Sequence, residues 1–278
     1  MVATAHPLAS AAGVDALRKG GNAMDAIIAA AATTAVVIPA MCGVGGDAFF
    51  IYGQSDGTMT AVNGSGIAPR ALSREYFTSR GHTQMPFFGP LSMGVPGAIE
   101  TWFIAIEKFC KLSAQELFAH AIHYAENGFP LSVTGARTIA ASAEELAKYP
   151  DSARIYLDNG AAPQPGWILR NPELAESLRI IADGGPDAFY RGDLGRRVAD
   201  AIRAMGGELT ADDLADHEND VYEPIATDYR GYTVYQTTLP TQGHLLLEEL
   251  NIIENADLAG MGHNSADAIH LMTEAKKR

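Results

Sequence analysis

The sequence predicts an α+β fold in which helices dominate. Apolar residues recur at helical spacing over most of the chain. Only two segments read as β-hairpins, one around Ser55-Asp56-Gly57 and one around Arg230-Gly231. Strands do not alternate with helices as they would in a run of βαβ units. The 278 residues suffice for one large domain or two small ones.

The elements follow from local signals. Leu8 to Lys19 has helical spacing and ends at Gly20-Gly21, a C-cap. Asn22 caps a second helix, Ala23 to Val37, whose Ala-rich surface suits close packing and which Pro39 ends. Ala48 to Tyr52 and Thr58 to Val62 form the first hairpin. Met93-Gly94-Val95-Pro96-Gly97 opens a helix to about Phe109. Ser113-Ala114-Gln115-Glu116 is a capping box for the next helix, which ends at Asn127-Gly128. Thr134 to Lys148 reads as one further helix, and Pro150 to Pro165 as the loosest region. Asn171 to Ala182 and Asp187 to Ala204 read as helices, with Arg191-Gly192-Asp193 as a loop-to-helix join. Ile225 to Tyr229 and Tyr232 to Gln236 form the second hairpin, and Gln242 to Glu254 is helical. Asn264 or Ser265 caps a last helix that meets the end of the chain without a terminal Gly. The chain is therefore expected to be one part of a longer polypeptide.

Composition excludes several functions. A net charge of −13 repels phosphate backbones, so no nucleic-acid partner is expected. The longest apolar run, Ala26 to Ala40, is too short for a membrane span, so no membrane partner is expected. No basic segment followed by an apolar one stands at Met1, which reads as a cytoplasmic location. Cys42 and Cys110 read as small apolar packing residues, with Cys42 singled out by its place beside a Gly-rich turn. His120 and His123 share a helix face, yet two imidazoles without a third ligand are no zinc site. Asp212, Asp213 and Asp216 suit the positive start of a short helix better than a metal. Neither a metal nor a cofactor is expected.

The most informative stretch runs from Met41 to Phe50, with Gly43, Gly45 and Gly46 at its centre. A phosphate-binding Gly loop follows a strand and opens a helix. This one follows a helix, opens a strand and lacks a Gly-Lys-Ser/Thr ending. Two readings remain: the glycines allow a tight turn, or they let the backbone pass close to a reacting group. No Gly-x-Ser-x-Gly elbow is present. Asn63-Gly64-Ser65-Gly66 comes close in letters and reads on its own as a tight turn. No nucleophile with a base is legible, so either the chain is not catalytic or its nucleophile lies outside it.

Several segments together resemble the γ-glutamyltransferase (γ-glutamyl transpeptidase) family. They are Met1 to Ala9, Gly20-Gly21-Asn22-Ala23-Met24-Asp25-Ala26, Gly43 to Asp47, Val95-Pro96-Gly97, Ala125 to Pro130, Gly185 to Gly192, Tyr229 to Tyr232 and Leu250 to Glu254. The resemblance is ordered and runs from Met1 to Arg278. It implies a four-layer αββα sandwich of the N-terminal-nucleophile hydrolase type, incomplete in this chain. Residues 1–278 would then be the large-subunit part of one domain, with the small-subunit portion of the same precursor as partner. The nucleophile would be the new N-terminal Thr of that small subunit, with its own α-amine as base. No catalytic residue would lie in this chain.

One departure bears on the substrate. The family's transpeptidases carry an Arg-Glu pair after the first hairpin, just before Ala-Pro, and that Arg clamps the α-carboxylate of the γ-glutamyl group. Here Ser65 stands in its place. A Ser cannot replace a bidentate, charge-assisted clamp, a loss of about 2–5 kcal/mol of binding. Thr241-Gln242-Gly243 also replaces the usual Ser-Ser-Gly. Both changes point to the glutamyltransferase-like amidohydrolases, which include oxamate amidohydrolase-like enzymes and acylases. The expected substrate is a small-molecule amide, with Asn63, Gly64 and Ser65 facing its acyl portion and Gly43, Gly45 and Gly46 near the reaction centre. Arg70 or Arg74 is the candidate for a displaced cation. The alternatives are a true γ-glutamyl transpeptidase acting on glutathione and a non-catalytic scaffold remnant.

Overall fold

The computed structural model describes residues 1–277. In chain order the elements begin with α1 (Pro7–Arg18), α2 (Ala23–Val37), β1 (Ala48–Gly53), β2 (Met59–Gly64), α3 (Arg74–Ser79), α4 (Ala98–Phe109) and α5 (Ala114–Asn127). They continue with β3 (Phe129–Pro130), α6 (Val133–Ala141), α7 (Ala143–Leu146), α8 (Pro150–Tyr156), β4 (Ile168–Leu169), α9 (Pro172–Tyr190), α10 (Asp193–Ala204) and α11 (Ala211–Ala215). The last are β5 (Asp220–Tyr222), β6 (Ile225–Tyr229), β7 (Tyr232–Gln236), α12 (Gly243–Ile253), α13 (Leu258–Met261) and α14 (Ala266–Lys276). The mixed helix and strand content is that of an α+β chain. It divides into two compact units, Met1–Ala48 with Gly66–Glu218, and Phe49–Ser65 with Asn219–Arg278.

The first unit is built around α2, which packs against α1, α4 and α5. Alanines at 26, 29, 30, 32 and 35 are buried, so backbones approach closely on several sides. Trp102 and Phe103 of α4 meet Phe118 of α5 edge to face, with ring centroids 5.7 and 6.1 Å apart. The start of α2 explains the Gly20 to Ala26 motif. Asn22 and Asp25 form a capping box, and the Asn22 amide also donates to the Phe109 carbonyl at 2.6 Å. Asp25 is fully buried and accepts from the N–H groups of Asn22, Lys111 and Leu112. A Cβ at Gly21 would lie 2.7 Å from that of Asp25, so the position admits no side chain.

The second unit holds a three-stranded sheet in the order β1-β2-β5, with β2 and β5 antiparallel in the register Val62↔Val221 and Asn63↔Asp220. β6 and β7 form a hairpin closed by Arg230 (φ 51°) and Gly231 (φ 86°), the paired left-handed residues of a type I′ turn. α12 packs on this hairpin and on α14. Among the described apolar side chains of this unit, only Ala61, Val62, Pro224, Leu247, Ile253, Ala268 and Ala275 are buried. Tyr232 is 77% exposed and Val221 44%, and Leu245, Leu246, Ile252, Ile269 and Met272 are also exposed. So small a core beside so much exposed apolar surface favours association. The isolated 278-residue chain is therefore expected to self-associate and to melt broadly. Light scattering and a thermal scan test this; a monodisperse monomer with one sharp transition would contradict it.

Four expectations change. The stretch from Thr134 to Lys148 is not one helix: Ser142 (φ −109°, ψ 8°) ends α6 and α7 restarts beyond it. The supposedly loose Pro150 to Pro165 opens with α8, for which Pro150 supplies the favoured first-turn proline. The helix expected over Asp187 to Ala204 is divided at Gly192, where a Cβ would lie 2.3 Å from the Ala188 carbonyl oxygen. Asp216 closes α11 instead of starting it, while Asp213 is the capping-box acid for Thr210. Burial pushes the Asp213 carboxyl up, but hydrogen bonds from Thr210 and the Arg70 N–H outweigh it and leave it below the usual range.

Candidate functional site

The Gly-rich turn grows from the end of α2, where the N–H groups of Met41 and Cys42 donate to the Ile38 carbonyl. Gly46 N–H then donates to the Gly43 carbonyl at 3.3 Å. The turn borders a cavity of about 570 Å³ with Thr4, Ile27, Thr34 and Trp102. None of Gly43, Gly45 and Gly46 has positive φ. A Cβ at Gly45 would meet nothing within 4 Å, and at Gly43 and Gly46 the nearest atoms would be 3.9 and 3.6 Å away. A tight turn therefore does not require glycine at any of the three.

The far end of the turn is fixed by α4. The N–H groups of Gly97 and Ala98 both donate to the Gly46 carbonyl, at 3.1 and 3.0 Å. The Thr101 hydroxyl lies 3.2 Å from the Ala48 carbonyl, to which it donates. Asp47 accepts the Gly66 N–H at 2.9 Å. At Gly66 a Cβ would sit 1.8 Å from the Val95 carbonyl oxygen, so here the backbone admits glycine alone. The sequence offered a cue for Asp47 in Gly46-Asp47, but none for the approach of Val95 to Gly66.

Asn63, Gly64 and Ser65 come together at the end of β2 in the second unit. Asn63 and Gly64 belong to the strand, and Ser65 follows its end without the tight turn read from the letters. Asn63 Oδ1 accepts the Ser65 N–H at 3.0 Å, and its amide lies 3.4 Å from the Asp220 carboxylate. Gly64 is buried, whereas Asn63 and Ser65 are half-buried and keep access to solvent.

The two candidate cations differ. The Arg70 guanidinium is paired with Asp216, while the Arg70 backbone N–H donates to Asp213. Arg74 has no ion-pair partner among the described residues and lines a groove of about 940 Å³ with Gly66, Ser73, Thr78, His82 and Gln84. Cys42 is exposed, contrary to the apolar packing expected, because it sits on the open turn. Partial desolvation of its sulfur nevertheless pushes the thiol up, away from the reactive thiolate. Cys110 is half-buried, and burial with the nearby Asp25 charge raises it to about 12. His120 pairs with Asp15 at 3.1 Å and His123 with Asn127, so the two histidines serve different partners. Among the described residues no His, Cys, Asp and Glu cluster could hold a metal, and no helix is long and apolar enough to cross a membrane.

Comparison with known proteins fits this arrangement. The family model described as Gamma-glutamyltranspeptidase matches residues 9–278. The Glutathione hydrolase-like YwrD proenzyme of Bacillus subtilis is 38% identical over all of this chain and 53% of its own length. The Oxamate amidohydrolase proenzyme of Klebsiella pneumoniae is 35% identical, again over all of this chain and 53% of its own. The crystal structure of cephalosporin acylase from Bacillus halodurans superposes with a TM-score of 0.92 at 35% identity, covering 98% of this chain and 52% of that one. The chain thus spans about half the length of the relatives it matches. With the ordered motifs, the family match and similarity across its whole length in agreement, this chain belongs to the γ-glutamyltranspeptidase family.

Proposed function

We propose that this chain is the large-subunit portion of an N-terminal-nucleophile amidohydrolase that cleaves a small acyl amide. The complete fold is then a four-layer αββα sandwich of one domain, whose remaining layers come from the small-subunit portion of the same precursor. The nucleophile is a Thr beyond residue 278, freed by self-cleavage, with its own α-amine as base. It forms an acyl-enzyme that water or an amine resolves. Relatives named as proenzymes, and twice the length of this chain, support a two-part precursor.

The observation that carries the substrate class is the Ser65-Gly66 pair. Ser65 brings no guanidinium, and the closeness of Val95 to Gly66 bars any side chain, so an Arg-Glu pair does not fit this backbone. Asn63, Gly64 and Ser65 then face the acyl group with hydrogen-bonding groups and no positive charge. A second reading has support of its own, because one relative is named glutathione hydrolase-like and Arg74 lies unpaired in the groove beside Gly66. The test compares glutathione with short amides such as oxamate in the full-length enzyme and in Ser65→Arg. Preference for short amides is expected. If the wild type prefers glutathione and Ser65→Arg lowers that preference, the carboxylate is held by another cation and this assignment of Ser65 is wrong.

The same reading gives the Gly-rich turn its role. Since this chain leaves room for a methyl group at Gly45, the glycines serve a close approach of backbone to the reacting groups of the complete enzyme. Gly45→Ala in the full-length protein is expected to slow turnover or maturation about tenfold or more while the melting temperature holds. Full activity in that variant would return the turn to a purely structural role.

A further inference from the structure

Helix α4 begins at Gly97, which has no side chain to cap it. The first N–H groups of a helix need partners from outside it. Gly97 and Ala98 find theirs in the Gly46 carbonyl, so the open end of α4 is also the mount of the Gly-rich turn. The N–H of Glu100, at the position an N-cap side chain normally serves, donates to the Tyr190 hydroxyl at 3.2 Å. That hydroxyl in turn donates to the Pro96 carbonyl at 2.6 Å. Tyr190 comes from the far end of α9, is 4% exposed, and has its ring stacked on the buried His217 at 5.6 Å. His217 also lies 3.6 Å from the Glu100 carboxylate, so the ring that supplies the cap is held firmly in place.

We infer that Tyr190 is a positioning residue: its hydroxyl caps α4 from a distant helix and thereby fixes the Gly46–Ala48 segment at the site. The inference rests on the reading that this turn borders the reaction centre. Tyr190→Phe removes one oxygen and leaves the ring stack in place. Tyr76→Phe is the control, because the Tyr76 hydroxyl also makes a 2.8 Å hydrogen bond, to Glu208 on the surface of the first unit.

In the full-length protein, Tyr190→Phe is expected to lower kcat and the self-cleavage rate about 10- to 100-fold, since small misplacements carry penalties of that size. KM should stay within about twofold, as for a loss of geometry without loss of binding. Amide exchange should quicken at Gly97, Ala98 and Glu100, and not across the unit as a whole. Tyr76→Phe should leave kcat, KM, the self-cleavage rate and amide exchange at Gly97, Ala98 and Glu100 unchanged. Thr101→Val, which removes the hydroxyl shared between the Ala48 and Gly97 carbonyls at 3.2 and 3.0 Å with almost no change of shape, should act in the same direction and carries the test if Tyr190→Phe does not fold. A kcat for Tyr190→Phe equal to that of Tyr76→Phe, or unaltered exchange at Glu100, overturns the inference while the proposed function stands. A wild-type precursor that neither cleaves itself nor turns over amides means that the proposed function has failed, and the inference with it.

Discussion

The 278-residue chain assayed alone is expected to turn over neither γ-glutamyl anilides nor simple amides. The full-length protein, once it has cleaved itself, is expected to turn over simple amides. Two of the hydroxyl–carboxylate pairs among the described residues, Ser113 with Glu116 and Thr210 with Asp213, are capping boxes whose members are also engaged by backbone N–H groups, and a third, Thr233 with Asp228, is exposed and spans the β6–β7 hairpin. The Cys42 thiol is pushed up and stays protonated near neutrality. Losing the nucleophile of a covalent mechanism costs on the order of 10⁶-fold in turnover, so the contrast should be close to all-or-none. The assay is run on purified chain before and after a second purification. Turnover that persists at constant specific activity would place the chemistry within residues 1–278 and overturn the assignment of the nucleophile.

Asp25→Ala carries the largest expected effect on stability. The carboxylate is fully buried and accepts from Asn22, Lys111 and Leu112 at 2.7, 2.9 and 2.8 Å. It thereby holds the start of α2 to the loop between α4 and α5. Alanine takes the acceptor from three part-buried backbone N–H groups, each worth up to about 1–3 kcal/mol. A total of about 3–5 kcal/mol is expected, since neighbouring losses add incompletely. Asp25→Asn keeps one acceptor oxygen and should lose about half as much. Denaturant unfolding of the full-length protein, followed by a probe in the first unit, measures both. A loss under about 1 kcal/mol for Asp25→Ala would show that water replaces the carboxylate, and that the motif around it is not the anchor described.

Much of the fold was legible because its signals are local. The cap at Asn22, the capping box at Ser113 and the Arg230-Gly231 turn are decided within a few residues, and each forms where the letters place it. The misses are of more than one kind. Ser142 ends a helix that propensity would continue, and α8 forms in a segment that composition marks as loose. The short β3–β4 pair joins Phe129 to Leu169 across a stretch no periodicity could connect. Several motifs that point to the family prove to be devices of the scaffold. Gly21 clears Asp25, and Gly128 (φ 87°) ends α5 where a side chain would strike Ile168 and Arg170. Gly192 clears the Ala188 carbonyl, and Tyr190 caps α4.

The candidate site was less legible. Asn63, Gly64 and Ser65 could be picked out only against a family pattern, because a strand end with an Asx hydrogen bond carries no chemical signature of its own. The freedom of Gly43, Gly45 and Gly46 from any steric demand, and the absolute demand at Gly66, depend on atoms distant in sequence. They become visible only in three dimensions.

The most direct test of the account is the intact mass of the full-length precursor, followed with time after purification and combined with N-terminal sequencing of any new chain. The account predicts conversion into two chains, the second beginning with Thr, with amide hydrolysis rising in step. A precursor that hydrolyses amides while remaining one uncut chain, or a new chain that begins with another residue, would contradict it.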